Sequence, residues 1–196
     1  MKMKKYVLGL ALVFATTALS WSQTGFRREL SLGAGYPGAR LTAGLFNGDT
    51  DYADASGNVY SMENHFAPDF HISYKNISRE RMGWGGTFAY TSRRRDAMLD
   101  GKKRGEVKQY YYSAGAEFDF YYFRRSRLAL YSSFGLGLTY THETLTRTNG
   151  SEESDSHIAV SPLLNLLGVR YGERFGFFAE LGIGYKGPSV GVFARF

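Results

Sequence analysis

Cysteine is absent from the chain. In an exported protein that excludes a disulfide framework and a lipid-modified N-terminal cysteine. Long apolar runs are nearly absent too. The one at the N-terminus, from Tyr6 to Ala18, is shorter than the ~20 residues that a membrane-spanning helix needs. No later stretch approaches that length, and none keeps helical periodicity for a useful distance. Charge of one sign is not in large excess. The formal +6 falls to +3 once Lys2, Lys4 and Lys5 are set aside, so nucleic acid is not an indicated partner. No glycine motif of the kind that cradles phosphate occurs, and the sequence implies no cofactor.

What is present is glycine and aromatic residue in quantity: 24 Gly, 15 Tyr and 15 Phe. The N-terminal stretch has three lysines, an apolar core and then small residues, the three-part layout of a secretory signal peptide. Cleavage between Ser20 and Gln23 is expected, giving a signal of residues 1–22 and a single domain over 23–196. That domain reads as eight runs with period-two alternation. They are 28–36, 66–75, 82–92, 108–122, 128–143, 157–171, 175–186 and 189–196. The sixth changes phase, with Ile158, Val160 and Pro162 in one register and Leu163, Leu167, Val169 and Tyr171 in the other. A bulge near Pro162 is therefore predicted.

The connections alternate in length. Three are long (37–65, 93–107, 144–156) and three short (76–80, 123–127, 172–174); the seventh is only Gly187-Pro188. Tight turns at one end and long loops at the other fit a barrel whose ends face different solvents. The polar phase carries small residues, as in Gly83, Gly85, Thr87 and Ala89 or Ser133, Gly135, Gly137 and Thr139. A narrow eight-stranded lumen needs such residues beside large ones, so this face is assigned to the inside. The apolar phase has aromatics where the runs end, notably Tyr110, Tyr112, Phe120, Tyr122 and Tyr140, which are candidates for girdles at the two headgroup levels. The predicted fold class is an all-β, eight-stranded antiparallel transmembrane barrel.

The chain closes on "GVFARF", with Val190, Val192, Ala194 and Phe196 on one face. This pattern resembles that of the small outer-membrane barrels of Gram-negative bacteria, the OmpA-barrel, OmpX and OmpW-like group. The resemblance implies an outer-membrane location and contact with lipid and lipopolysaccharide. It also implies that those four residues act as the signal read by the barrel-assembly machinery. It covers the whole domain but brings no catalytic motif. A monomer is expected.

Candidate sites lie in two places. With Lys186 paired to Ser189 across the short last connection, Glu180 falls opposite Arg195 on the inner face. An interior Glu180 to Arg195 ion pair is predicted, joined to Glu117, Asp119 and Arg170 in a polar network that plugs the lumen. The second place is the basic connection carrying Arg93, Arg94, Arg95, Lys102, Lys103 and Arg104, which suits lipopolysaccharide phosphates or another acidic partner as well as it suits plain solvation. Asp69, His71 and Ser73 share one face, but it is the lumen face, where a lipid-cleaving nucleophile would not meet lipid. His142 and His157, with Glu143 and Asp155, are too few fixed ligands to specify a metal. Two functions remain: a structural or surface-interaction barrel without chemistry, and a lipid-modifying enzyme or narrow small-molecule conduit on the same wall.

Overall fold

The computed structural model describes residues 27–36, 38, 52–53, 59–77, 81–99, 102–147 and 151–196; the expected signal peptide lies outside them. Ten strands follow in order: β1 Arg27–Gly35, β2 Tyr52–Ala53, β3 Val59–Phe66, β4 Asp69–Ile77, β5 Met82–Leu99, β6 Lys102–Arg124, β7 Leu128–Arg147, β8 Glu152–Gly172, β9 Phe175–Gly184 and β10 Ser189–Arg195. Their pairing runs β2-β3-β5-β4-β1-β10-β9-β8-β7-β6, with β6 returning to β5. Apart from β2, which pairs only with β3, eight staves therefore close into an antiparallel ring. Strands β3 and β4 both pair with β5, at residues 93–98 and 83–90 respectively, so they form one stave interrupted at Ala67 and Pro68. Proline cannot donate to a ladder, which suits it to such a break.

Alternation sorts the side chains as the pattern predicts. Leu136 is 62 % exposed on the outer wall while Glu117 on the inner face is 0 % exposed. An apolar exterior around a polar interior is the arrangement of a membrane barrel and the inverse of a soluble one. From Tyr122 to Tyr112 the outer face of β6 covers ten residue steps, or roughly 25 Å for a strand tilted by about 40°, the height of an apolar belt. Tyr90, Tyr112 and Tyr140 lie side by side at its upper level, with ring centroids 5.2 and 6.3 Å apart.

Inside, glycines make room for rings. A Cβ on Gly168 would lie 2.3 Å from the Tyr131 ring, and one on Gly115 would lie 2.8 Å from Tyr185. Tyr111, Tyr121, Tyr131, Phe178 and Phe193 all point inward and are buried. The last residue is held at the seam where β10 meets β1: Arg28 and Phe196 exchange two backbone hydrogen bonds of 3.0 Å. Terminal fraying is thereby suppressed at the closure point.

Three expectations need correction. Glu180 pairs with Ser189 and Phe175 with Ala194, so the β9–β10 register differs from the one that places Glu180 opposite Arg195. The connection is residues 185–188, and Tyr185 and Lys186 fold into the lumen instead of extending the strand. Gly184, at φ +135°, makes this departure possible. Second, the bulge expected near Pro162 falls between Asn165 and Leu167 of β8. Leu163 points inward, and Leu166 and Leu167 are both outward. An inward leucine hides the true phase change from a hydrophobic pattern. Third, segments 93–107 and 144–156 are largely strand: β5 runs to Leu99 and β6 starts at Lys102, while β7 runs to Arg147 and β8 starts at Glu152. Above the belt the outward face turns polar, as at Arg94 and Lys108, so the ladder continues without the apolar alternation that would mark it.

Candidate functional site

The inner wall gathers eight charged side chains into one balanced network. Lys75 of β4 reaches Glu117 and Asp119 of β6, each at 2.8 Å. Arg170 of β8 lies 3.0 Å from Glu29 of β1, 3.2 Å from Asp119 and 3.9 Å from Glu180 of β9. Its guanidinium is 4.1 Å from the centre of the Tyr131 ring, and it also donates to the Tyr121 hydroxyl. Lys186 lies 2.6 Å from Glu180 and 3.4 Å from Glu117. Arg195 donates to Glu29 at 2.7 Å and to the carbonyl oxygens of Gly172 and Glu173. Four carboxylates thus face four cations. Hydroxyl donors complete the shell: Tyr131 to Glu180 at 2.6 Å, Tyr121 to Asp119 at 3.2 Å and Tyr185 to Glu117 at 3.1 Å.

Charges withdrawn from water are tolerated only when paired and hydrogen-bonded, and each of these meets that condition. Glu180, Glu117, Asp119 and Arg170 are brought together. Arg195 joins them through Glu29 rather than through Glu180. Sequence reasoning missed Glu29 and Lys75, although both share the inward phase, Glu29 with Ser31 and Lys75 with His71 and Ser73. Lys186 shares the phase of Glu180 in the run 175–186, but it enters the lumen through the turn after Gly184 and not by strand alternation.

Higher in the lumen, Ser73 accepts a hydrogen bond from Thr87 at 2.7 Å. The His71 ring packs 5.9 Å from that of Phe178. All of Asp69, His71 and Ser73 are buried on the inside, so this trio presents no nucleophile to lipid. His142 sits opposite Ser156 and His157 opposite Thr141. Adjacent residues of a strand point to opposite faces, so the two histidines are not brought together.

The second region is the sheet that rises above the belt. Its basic residues are in strands rather than a loop. Arg94 lies outward and pairs with Glu106 and with Asp96 at 3.8 Å, while Lys108 lies 3.3 Å from Glu106. Arg93, on the inward phase, is buried. Lys102 and Lys103 open β6 opposite Leu99 and Met98, with Arg104 after them. On the inner side Gln109 bonds to Glu143 and accepts from the Tyr111 hydroxyl at 3.1 Å. Among the described residues the sheet above the belt ends at β8. Strand β8 pairs with β7 from Glu152 onward, but β9 joins it only at Leu163 opposite Gly184. Among the described residues no strand pairs with the other side of 152–161, and that segment is exposed throughout except at Ser161. Val190, Val192 and Phe196 lie exposed on the outer face of β10, in one phase with Ala194.

No protein-family model matches the chain, and no curated protein matches it. Two solved structures of Ail, the attachment invasion locus protein of Yersinia pestis, are similar. One, in complex with the heparin analogue sucrose octasulfate, shares 16 % identity at a TM-score of 0.49, covering 87 % of this chain and 99 % of that one. The other shares 15 % at 0.47 over the same fractions.

Proposed function

We propose that this protein is a surface-interaction barrel of the Gram-negative outer membrane, in which the wall is an anchor, the filled lumen a plug and the projecting sheet the contact surface. The observation that carries this function is the β8 edge. Among the described residues, 154–161 have a strand neighbour on the β7 side only, and beyond the belt an extended segment of another molecule can add there as a further strand. The plug is supported by four ion-paired cations, four carboxylates and six inward aromatic rings, five of them packed on glycine, in a lumen of eight strands. A lipid-modifying role has no comparable support, since His71 and Ser73 face away from lipid.

Export by cleavage of residues 1–22, recognition of Val190, Val192, Ala194 and Phe196 by the barrel-assembly machinery, lipid and lipopolysaccharide around the belt, and a monomeric state complete the proposal. Arg93, Arg94, Arg95, Lys102, Lys103 and Arg104 then serve the projecting sheet, with Arg94 tied to Glu106 rather than free for an anion.

The test uses cells carrying the whole protein or a variant in which 143–155 is replaced by a two-residue Asn-Gly turn. The variant should stay in the outer membrane as a heat-modifiable band yet lose retention on immobilised protein and polysaccharide surfaces that hold the wild type. Equal retention, or an altered acyl pattern of membrane lipid when the protein is present, would overturn the proposal.

A further inference from the structure

The segment that leaves the wall after Gly184 carries a functional group into the lumen. Tyr185 stays tied to β8 through its amide, which donates to Pro162 at 3.2 Å, and Pro188 accepts from Tyr36 at 2.8 Å. Between these anchors Lys186 is 2 % exposed, with its ammonium on Glu180 and Glu117. Gly184 and Gly187 flank the pair, so residues 185–188 form a strap hinged on glycine at one end and on glycine and proline at the other.

Without the strap, the wall alone holds Lys75, Arg170 and Arg195 against Glu29, Glu117, Asp119 and Glu180. One cation is then missing, and its place is shaped for an ammonium ion. A second observation points to the same part of the lumen. Asp69 Oδ1, both ring nitrogens of His71 and Ser189 Oγ are buried without a hydrogen-bond partner among the described residues. Asp69 and Ser189 flank Gly35 across β1, and His71 flanks Gly33. Gly38, whose amide donates to Asp69 Oδ2 at 3.5 Å, packs directly against the strap at Lys186 and Gly187. These groups surround the strap with hydrogen-bonding capacity that the strap leaves unused.

We propose that the upper lumen is a binding site for small primary ammonium ions, kept filled from within by Lys186 at the tip of the strap. A primary ammonium carries one charge and three donors, enough to satisfy both Glu180 and Glu117 and one further acceptor. A quaternary ammonium carries the charge without donors, and so satisfies none of them. The tethered lysine competes at an effective concentration on the order of millimolar, so a free ion must reach that range to displace it. This site is independent of the surface-contact role, which uses the sheet above.

Methylammonium is the probe, with tetramethylammonium and sodium chloride at equal ionic strength beside it. In the wild-type barrel in lipid, the Lys186–Gly187 bond is shielded from trypsin. Its cleavage, corrected on a free peptide substrate in the same buffer, should rise several-fold with methylammonium and not with the other two. Lys186→Met should lower the temperature at which the unheated band is lost, and methylammonium should restore several degrees of it where tetramethylammonium does not. The same response to both cations would mean a salt effect only and overturn the site, as would a Lys186→Met barrel indifferent to methylammonium. If Lys186→Met folds poorly, the readout is its folding yield with and without methylammonium, and no recovery counts against the site. The double variant Glu180→Gln, Lys186→Met removes charge and partner together. It should fold and lose the amine response, and a retained response would place the ammonium elsewhere.

Discussion

The lumen and the projecting sheet are both rich in ion pairs, but the same chemistry has different consequences in each. Inside, Lys75, Glu117, Asp119 and Arg170 are at most 2 % exposed, and every one has at least two partners. Above the belt, the Arg94 side chain is 52 % exposed and pairs with Glu106 on the neighbouring strand. Buried charges have no water to fall back on, so the interior pairs are mutually dependent and fix which strands face one another. Pairs in the sheet compete with solvent and contribute little to folding. The wall is therefore specified from within, while the sheet is free to present charge outward.

The sharpest way to break this contrast is to remove Arg170, which touches Glu29, Asp119 and Glu180 and underlies the Tyr131 ring. Arg170→Ala should destabilise the barrel by about 3 to 5 kcal/mol, because three buried carboxylates lose a shared cation. Urea titration of the unheated band in lipid vesicles measures it. A cost near that of a surface substitution would mean that water enters the lumen freely. The next largest effect tests the wall from its other side. Leu136→Arg sets a charge on the outer face against lipid and should cost roughly 2 to 4 kcal/mol. Thr139→Ser on the inner face keeps the hydroxyl that bridges Ser113 and Ser161 and should cost under about 1 kcal/mol. Equal costs in the same titration would reverse the assignment of faces.

The barrel was legible in the sequence because period-two alternation survives wherever one face meets lipid and the other the lumen. Glu117, Asp119, Arg170 and Glu180 could be read as inward for that reason. Three things were not legible. The end of β9 is set by Gly184 at φ +135°, and an alternating "GYK" reads as strand whether or not the chain turns inward. The tops of β5 to β8 lack an apolar phase and so read as loops. Packing inside was the third. Gly137 reads as a tolerant lumen position, yet a Cβ there would lie 2.6 Å from the carbonyl oxygen of Ala114. A serine at that site would push on the neighbouring backbone, which is why Thr139 is the better interior control. Register and close approach are properties of neighbouring strands that one strand's pattern does not contain.

The smallest expected effect is in the sheet, and its smallness is the point. Arg94 bonds to Glu106 across the β5–β6 ladder, and Glu106 keeps Lys108 at 3.3 Å when Arg94 is gone. The arginine is half in water, so its Coulomb gain is screened and offset by the entropy of holding two long side chains together. Arg94→Ala should cost no more than about 0.2 to 1 kcal/mol, and raising the salt should shrink the difference further. Arg170→Ala, by contrast, should keep most of its cost at high salt, because buried pairs are screened far less than exposed ones. The pair of variants measured in low and high salt separates the two regions directly. If Arg94→Ala cost as much as Arg170→Ala and resisted salt, the projecting sheet would be as much a part of the folding core as the barrel below it, and the division between anchor and contact surface would fail.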